Sequence, residues 1–202
     1  MHFGGVDPSL SMLSLLKFSY PVVHRDDYEF LRLIAREYYR VAGEAMERED
    51  RRHLVFGDRY MLGDLPIEVL EEALPWIDIV AVQPFQVRFE REAFDRVYRL
   101  SRKPILICDH ASNFPTDSFP STLWPQCATE SDTARAYGDY LAEAFERPYI
   151  VGYHRCQYID RAMPDTGALK QGLIREDEPP YETFVDSVDR TNKRIIKRLT
   201  AT

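Results

Sequence analysis

The stretch KPILICDH, Lys103 to His110, holds three apolar residues in a row, Ile105, Leu106 and Ile107, between a proline and a polar end. Such a run reads as a strand buried on both faces, as the strands of parallel sheets are. It finishes in Cys108, Asp109 and His110. Ligands of parallel α/β folds sit beyond the carboxyl ends of the strands. A carboxylate and an imidazole at that end therefore stand where chemistry is done. The plainer alternative is a capping Asp109 beside a satisfied polar His110.

Working outward, the same alternation repeats on both sides. Upstream, a helix over about Glu90 to Leu100 follows a strand, Trp76 to Val82, that ends in Gln83. Before it come a helix opening at Asp64 and Pro66 and running through Leu74, and a short apolar run, His53 to Phe56, followed by Gly57, Asp58 and Arg59. An amphipathic helix opens at Asp26, which stands at capping-box spacing from Glu29. Residues 1–25 show no period and read as irregular.

Downstream, a proline-rich loop from Ala111 to Ala128 contains Phe114, Phe119 and Trp124; loops of this length inside compact domains are often functional. Thr129 then caps a helix to about Phe145. A fourth strand, Tyr149 to Tyr153, runs into His154 and Gln157, and a last helix follows Pro179 and Pro180.

Strict alternation of strand and helix predicts one α/β domain over residues 1–202, built on a parallel sheet with right-handed crossovers. Neither GxGxxG nor GxxxxGK[ST] occurs, which argues against the doubly wound nucleotide-binding folds. All four strands end in polar groups, the pattern from which (β/α)₈ barrels build their sites. With four strands instead of eight, the expectation is half of a TIM barrel.

The formal net charge of −7 argues against a nucleic-acid partner, and the basic run Lys193, Arg194, Lys197, Arg198 reads as the solvated side of the last helix. No apolar run is long enough for a membrane span. No signal peptide is recognisable either, although the expectation is that the natural chain begins before Met1, so the compartment stays open. Three cysteines without a CxxC pair form neither a disulfide framework nor a zinc site.

Four segments in order, GDRY (Gly57–Tyr60), VQPF (Val82–Phe85), KPILICDH, and GYHRCQYID (Gly152–Asp160) followed by KQGLI (Lys170–Ile174), together resemble the C-terminal half of retaining glycoside hydrolase barrels of the agarase and β-galactosidase type. The resemblance covers roughly Asp26 to the end and aligns the four strands with the fifth to eighth of the barrel. It implies a glycosidase acting on O-glycosidic bonds of a galactan or related polysaccharide, without a cofactor. The family's nucleophile is a Glu at the end of the seventh strand, and Asp109 occupies that position. The departure shortens the side chain by one methylene, about 1.5 Å, where retaining enzymes hold their carboxyl groups about 5–5.5 Å apart and inverting ones about 6.5–9.5 Å, which leaves three outcomes open: a working nucleophile, a site turned toward inversion, or an inactive one.

The family's acid/base Glu ends the fourth strand, which this sequence does not contain. The expectation is a fragment lacking that residue. The resemblance further implies sugar contacts from Asp58, Arg59, Gln83, His110, Tyr153, His154 and Gln157, with Trp124, Phe85 and Tyr158 as flat surfaces for sugar rings.

Two other readings stay open at this stage. One is a degenerate barrel that binds carbohydrate without cleaving it. The other is a metal-dependent barrel hydrolase or isomerase using Asp58, Asp109, His110 and His154, against which stands the absence of any HxH or HExxH motif. A half barrel also leaves its first and last strands with open edges, which predicts self-association.

Overall fold

The computed structural model of the chain describes residues 21–120, 126–163, 167–176 and 179–201. They fall into two compact units, the first ending at His53 and including Pro66–Ile77, the second holding Leu54–Leu65 and everything from Asp78 on.

The first unit is a helix pair, α1 (Pro21–Glu49) and α2 (Ile67–Ala73). Ala35, Tyr39 and Gly43 recur every four residues and so share one face of α1. Ala35 and Tyr39 are buried, as are Leu70, Ala73 and Ile77, while a Cβ at Gly43 would stand 2.1 Å from the Trp76 ring. Arg36 grips Glu72 with two hydrogen bonds of 3.0 Å, and Arg32 reaches Glu71 at 2.5 Å. Asp26 and Glu29 lie inside α1, which is already helical at Pro21, so they do not form the opening capping box that their spacing suggested.

The second unit is built on β1 (Tyr60–Met61), β2 (Val80–Gln83), β3 (Ile105–His110) and β4 (Ile150–Arg155), all parallel and in the spatial order β1-β2-β3-β4. Helices α3 (Arg91–Ser101) and α4 (Glu130–Ala144) make the crossovers, and α5 (Glu182–Thr200) packs on α4. Sequential strand order is that of a barrel wall; a doubly wound sheet places its first strand in the middle. Val80, Val82, Ile105 and Ile107 are fully buried, with Phe94 and Val97 of α3, Tyr137, Tyr140 and Leu141 of α4, and Phe184 of α5. The half-barrel expectation therefore stands, and β1 and β4 are the edges of the described sheet.

Local chemistry explains the element ends. The Thr129 side chain accepts from the Asp132 backbone N at 3.1 Å and caps α4. Arg102, left-handed at φ 54°, ends α3 and turns the chain into Lys103-Pro104 and β3.

Three boundaries differ from the sequence expectation. The run His53–Phe56 is not a ladder strand: Val55 instead binds Asp78, its O accepting from the Asp78 N at 2.7 Å and its N donating to Oδ2 at 2.8 Å. Gly57, at φ 67°, then kinks the chain, and pairing resumes only at Tyr60. Trp76 belongs to a turn after α2 rather than to β2. The segment after Asp160 forms an antiparallel hairpin, β5 (Arg161–Met163) with β6 (Gly167–Leu169). Among the described residues no helix is long and apolar enough to cross a membrane.

Two glycines test this packing in opposite directions. Gly→Ala inside a helix ordinarily stabilises by about 1 kcal/mol. Gly138→Ala in α4 should do so, its new methyl meeting Thr191 Oγ1 at an ordinary 3.4 Å. Gly43→Ala should instead lower stability by roughly 1–3 kcal/mol, because the Trp76 ring must move. Thermal unfolding followed by circular dichroism reads both; a rise in midpoint for Gly43→Ala would contradict the helix pairing.

Candidate active site

The site begins with a break in alternation. Ile107 pairs with Tyr153, but His110 pairs with Arg155, so β3 spends three residues where β4 spends two. One residue of β3 is therefore extra, a bulge, and Asp109 within it has φ 54°. Asp enters this left-handed region more readily than most residues. In an unbroken strand Asp109 would share the face of Ile105 and Ile107. The bulge sends Asp109 to the opposite face, that of Gln83, and turns His110 into the core.

On that opposite face Asp109 Oδ2 accepts from Gln83 Nε2 at 2.6 Å and from Arg59 Nη1. The Asp109 side chain is 24% exposed and that of Arg59 60%. Both hydrogen bonds fall on Oδ2, leaving Oδ1 without a partner among the described residues. Leu106 lies on this face too, and Gly152 gives it room: a Cβ there would stand 2.7 Å from Leu106 Cδ1.

Behind the carboxylate, His110 is 0% exposed and stacks on Tyr140 with ring centroids 3.9 Å apart. Its Nε2 lies 3.0 Å from Gln86 O and its Nδ1 2.8 Å from the Tyr153 hydroxyl. A carbonyl only accepts, so Nε2 carries the proton, Nδ1 accepts, and the Tyr153 hydroxyl donates. Burial pushes the His110 pKa down to about 4, so the ring is neutral near pH 7. The sequence expectation is that His110 and Tyr153 neighbour Asp109 and hold sugar hydroxyls or tune its pKa; in the structure their polar atoms bind each other and Gln86, and both rings face α4.

Of the other predicted residues, Arg59 and Gln83 join Asp109, as above. Asp58 and His154 are exposed and Gln157 is half-buried. Phe85 is half-buried, Tyr158 is exposed, and Trp124 lies outside the described residues. Asp58, Asp109, His110 and His154 do not converge: among the described residues no group of three or more His, Cys, Asp and Glu could hold a metal ion.

Sequence reasoning missed a polar cluster beyond β4. Arg155 Nη2 donates to Ser112 O and Gln171 O, both at 2.8 Å, tying the loop after β3 to the segment after β6. Lys170, 1% exposed, lies 3.7 Å from Asp160 Oδ2 and within 3.9 Å of the Phe114 and Tyr181 ring centres. Asp160 also accepts from the Gly172 N at 2.7 Å and the Tyr181 hydroxyl at 2.6 Å. Burial holds the Lys170 pKa down to about 8 against the pull of Asp160. A lysine and an aspartate ten residues apart in a loop give no periodic signal.

No model of a known protein family matches the chain. Over 178 residues the chain is 21% identical to Beta-agarase B of Vibrio sp. (strain JT0107), a match covering 85% of this chain and 18% of that protein. The structure of an exo-beta-agarase superposes with a TM-score of 0.76 at 23% identity, over 88% of this chain and 25% of that one. A second agarase gives 0.76 at 22% identity, over 85% and 27%. The chain thus has the fold of part of an agarase and spans less than a fifth of its curated relative's length. The likeness read from GDRY, VQPF, KPILICDH and GYHRCQYID is borne out at the level of fold.

The buried His110 sets a pH dependence. Between pH 6.5, its ordinary pKa, and about 4 the unfolded chain takes up a proton that the folded chain refuses. Its contribution is therefore fully present above pH 6.5 and is lost as the pH falls toward 4, about 3 kcal/mol in all. Urea midpoints should drop between pH 7 and pH 5, and drop less in His110→Phe, which keeps the stack on Tyr140. Equal drops in both proteins would contradict a buried neutral His110.

Proposed function

We propose that the chain is the nucleophile-bearing part of an agarase-type glycoside hydrolase barrel, with Asp109 as the nucleophile. The observation that carries this reading is the bulge in β3, which holds a carboxylate on the open face with one oxygen bound and the other unpartnered among the described residues. The agarase likeness supports the substrate class, β-linked galactan.

In this mechanism Asp109 Oδ1 attacks the anomeric carbon while the glycosidic oxygen leaves with the bonding electrons and takes a proton from a general acid. A glycosyl ester of Asp109 results, and water hydrolyses it with the same acid group now acting as base. Arg59 and Gln83 keep Oδ2 in place and balance its charge. Through the resemblance, the acid/base belongs to the end of the barrel's fourth strand, outside the four strands described. Gln83 and Arg59 serve first as positioning groups for the carboxylate and secondly as donors to sugar hydroxyls.

An activated leaving group removes the need for the acid, so the nucleophile is testable in this chain alone. A dinitrophenyl 2-deoxy-2-fluorogalactoside should release one equivalent of dinitrophenolate and leave a fluoroglycosyl adduct on the peptide carrying Asp109, read by mass spectrometry. Asp109→Asn should slow labelling by at least about 100-fold. Labelling elsewhere, or equal labelling of the variant, would rule out Asp109 as nucleophile. Oligosaccharide binding by a chain that never labels would favour a carbohydrate-binding barrel without catalysis.

A further inference from the structure

Arg155, the last residue of β4, turns its side chain toward α5. Its guanidinium carbon lies 4.6 Å from the centre of the fully buried Phe184 ring. A charge taken out of water is costly unless an opposite charge answers it. Among the described residues Arg155 forms no ion pair, and the groups facing it are the Tyr137 and Tyr153 hydroxyls and the Cys156 thiol. Burial keeps both tyrosines protonated, and His110, also nearby, is neutral near pH 7.

The neighbouring charges do not answer Arg155 either. Lys170 is a second cation, and Asp160 is its own partner at 3.7 Å. After burial, the charge of Arg155 is what holds the Lys170 pKa down. Glu130, half-buried nearby, gives Oε1 to the Phe184 N at 2.9 Å. Two cations closed off from solvent thus share the buried carboxylate of Asp160, an excess of one positive charge.

Unused hydrogen-bonding groups gather at the same place. Arg155 spends only Nη2, on Ser112 O and Gln171 O, both at 2.8 Å. Its Nε and Nη1, the Ser112 Oγ and the Gln171 Oε1 are all closed to solvent and lack a hydrogen-bond partner among the described residues. Ser112 is 0% exposed and Gln171 4%. Orphaned polar atoms are rare inside proteins, and these four sit on three residues already in contact.

We propose that Arg155 holds a small monovalent anion of chloride's kind, enclosed by Ser112 and Gln171. The excess of one positive charge sets the valence, and the closed surroundings set the size. Arg155 and the Ser112 hydroxyl donate to the ion. Gln171 becomes a further donor by a half-turn of its amide, which exchanges Oε1 and Nε2. The same half-turn gives the Cys156 thiol, 3.2 Å from the amide nitrogen, an oxygen to donate to. A water molecule would complete the hydrogen bonds and leave the charge unanswered. The ion secures the clamp by which Arg155 joins the loop after β3 to the segment after β6, and it is independent of the glycosidase reading of Asp109.

Thermal unfolding of the full chain in potassium chloride and in potassium gluconate, at one ionic strength, tests the site, because gluconate is too large to be enclosed there. The midpoint should rise with chloride and saturate, by roughly 5–10 °C at a hundred times the dissociation constant. Bromide should act as chloride does, and its anomalous scattering in a crystal should place it against Arg155. In Arg155→Leu the chloride response should vanish. Ser112→Ala keeps the cation and the backbone oxygen that binds it, and so guards against a leucine variant that fails to fold; it should weaken chloride binding about tenfold. Equal midpoints of the unsubstituted chain in the two salts would overturn the proposal in favour of an ordered water or a carboxylate of the chain. A chloride response that survives in Arg155→Leu, or that is unchanged in Ser112→Ala where the leucine variant does not fold, would overturn it by placing the ion elsewhere.

Discussion

A single extra residue in β3 is the constraint on which the rest of the site depends. Parallel strands alternate their side chains between two faces, and one inserted residue inverts everything beyond it. Without the bulge, Asp109 would be driven into the helix-facing core beside Ile105 and Ile107, where an unpaired carboxylate is costly. With it, Asp109 meets Gln83 and Arg59 on the open face, and His110 fills the space over Tyr140. The charged group and the neutral imidazole are sorted by one backbone turn at φ 54°.

The buried side of that turn is satisfied without charge. Gln86 O fixes the His110 tautomer, the tautomer fixes Tyr153 as donor, and Tyr153 in turn packs against Tyr137 and Tyr140. Fully paired polar groups of this kind rigidify a core, whereas a half-satisfied set weakens it. Arg155 and Lys170 tie the loops together, Arg155 through Nη2 alone, with its Nε and Nη1 lacking a hydrogen-bond partner among the described residues. Arg155 joins two backbone carbonyls from separate segments, and Lys170 sits among Asp160, Phe114 and Tyr181. The loops at the strand ends are thus held by charged groups inside the protein.

The central strands were legible because their signals are local. Ile105–Ile107, Val80–Val82 and Ile150–Val151 are apolar runs bounded by breakers, and Thr129 and Pro66 mark helix starts by their own chemistry. The first strand was misplaced because Gly57 bends the chain and Val55 is claimed by Asp78, a partner 23 residues away. Strand-end position singled out Asp109 and Gln83, and the structure brings them together with Arg59, which precedes β1. Alternation puts His110 on the open face, and the bulge that turns it into the core leaves no trace in composition. The β5–β6 hairpin and the Lys170 cluster were invisible for a related reason: both are defined by contacts across a loop.

Under the proposed function these groups share one purpose, a carboxylate on the face of Gln83 with its neighbours arranged to hold it and a sugar. The most direct measurement is a crystal structure of the chain grown with a galactan oligosaccharide. The account predicts a sugar ring on the open face of β2 and β3, its anomeric carbon facing Asp109 Oδ1 and Gln83 within hydrogen-bonding reach. A sugar bound elsewhere, with Asp109 on the helix-facing side of β3, would contradict it.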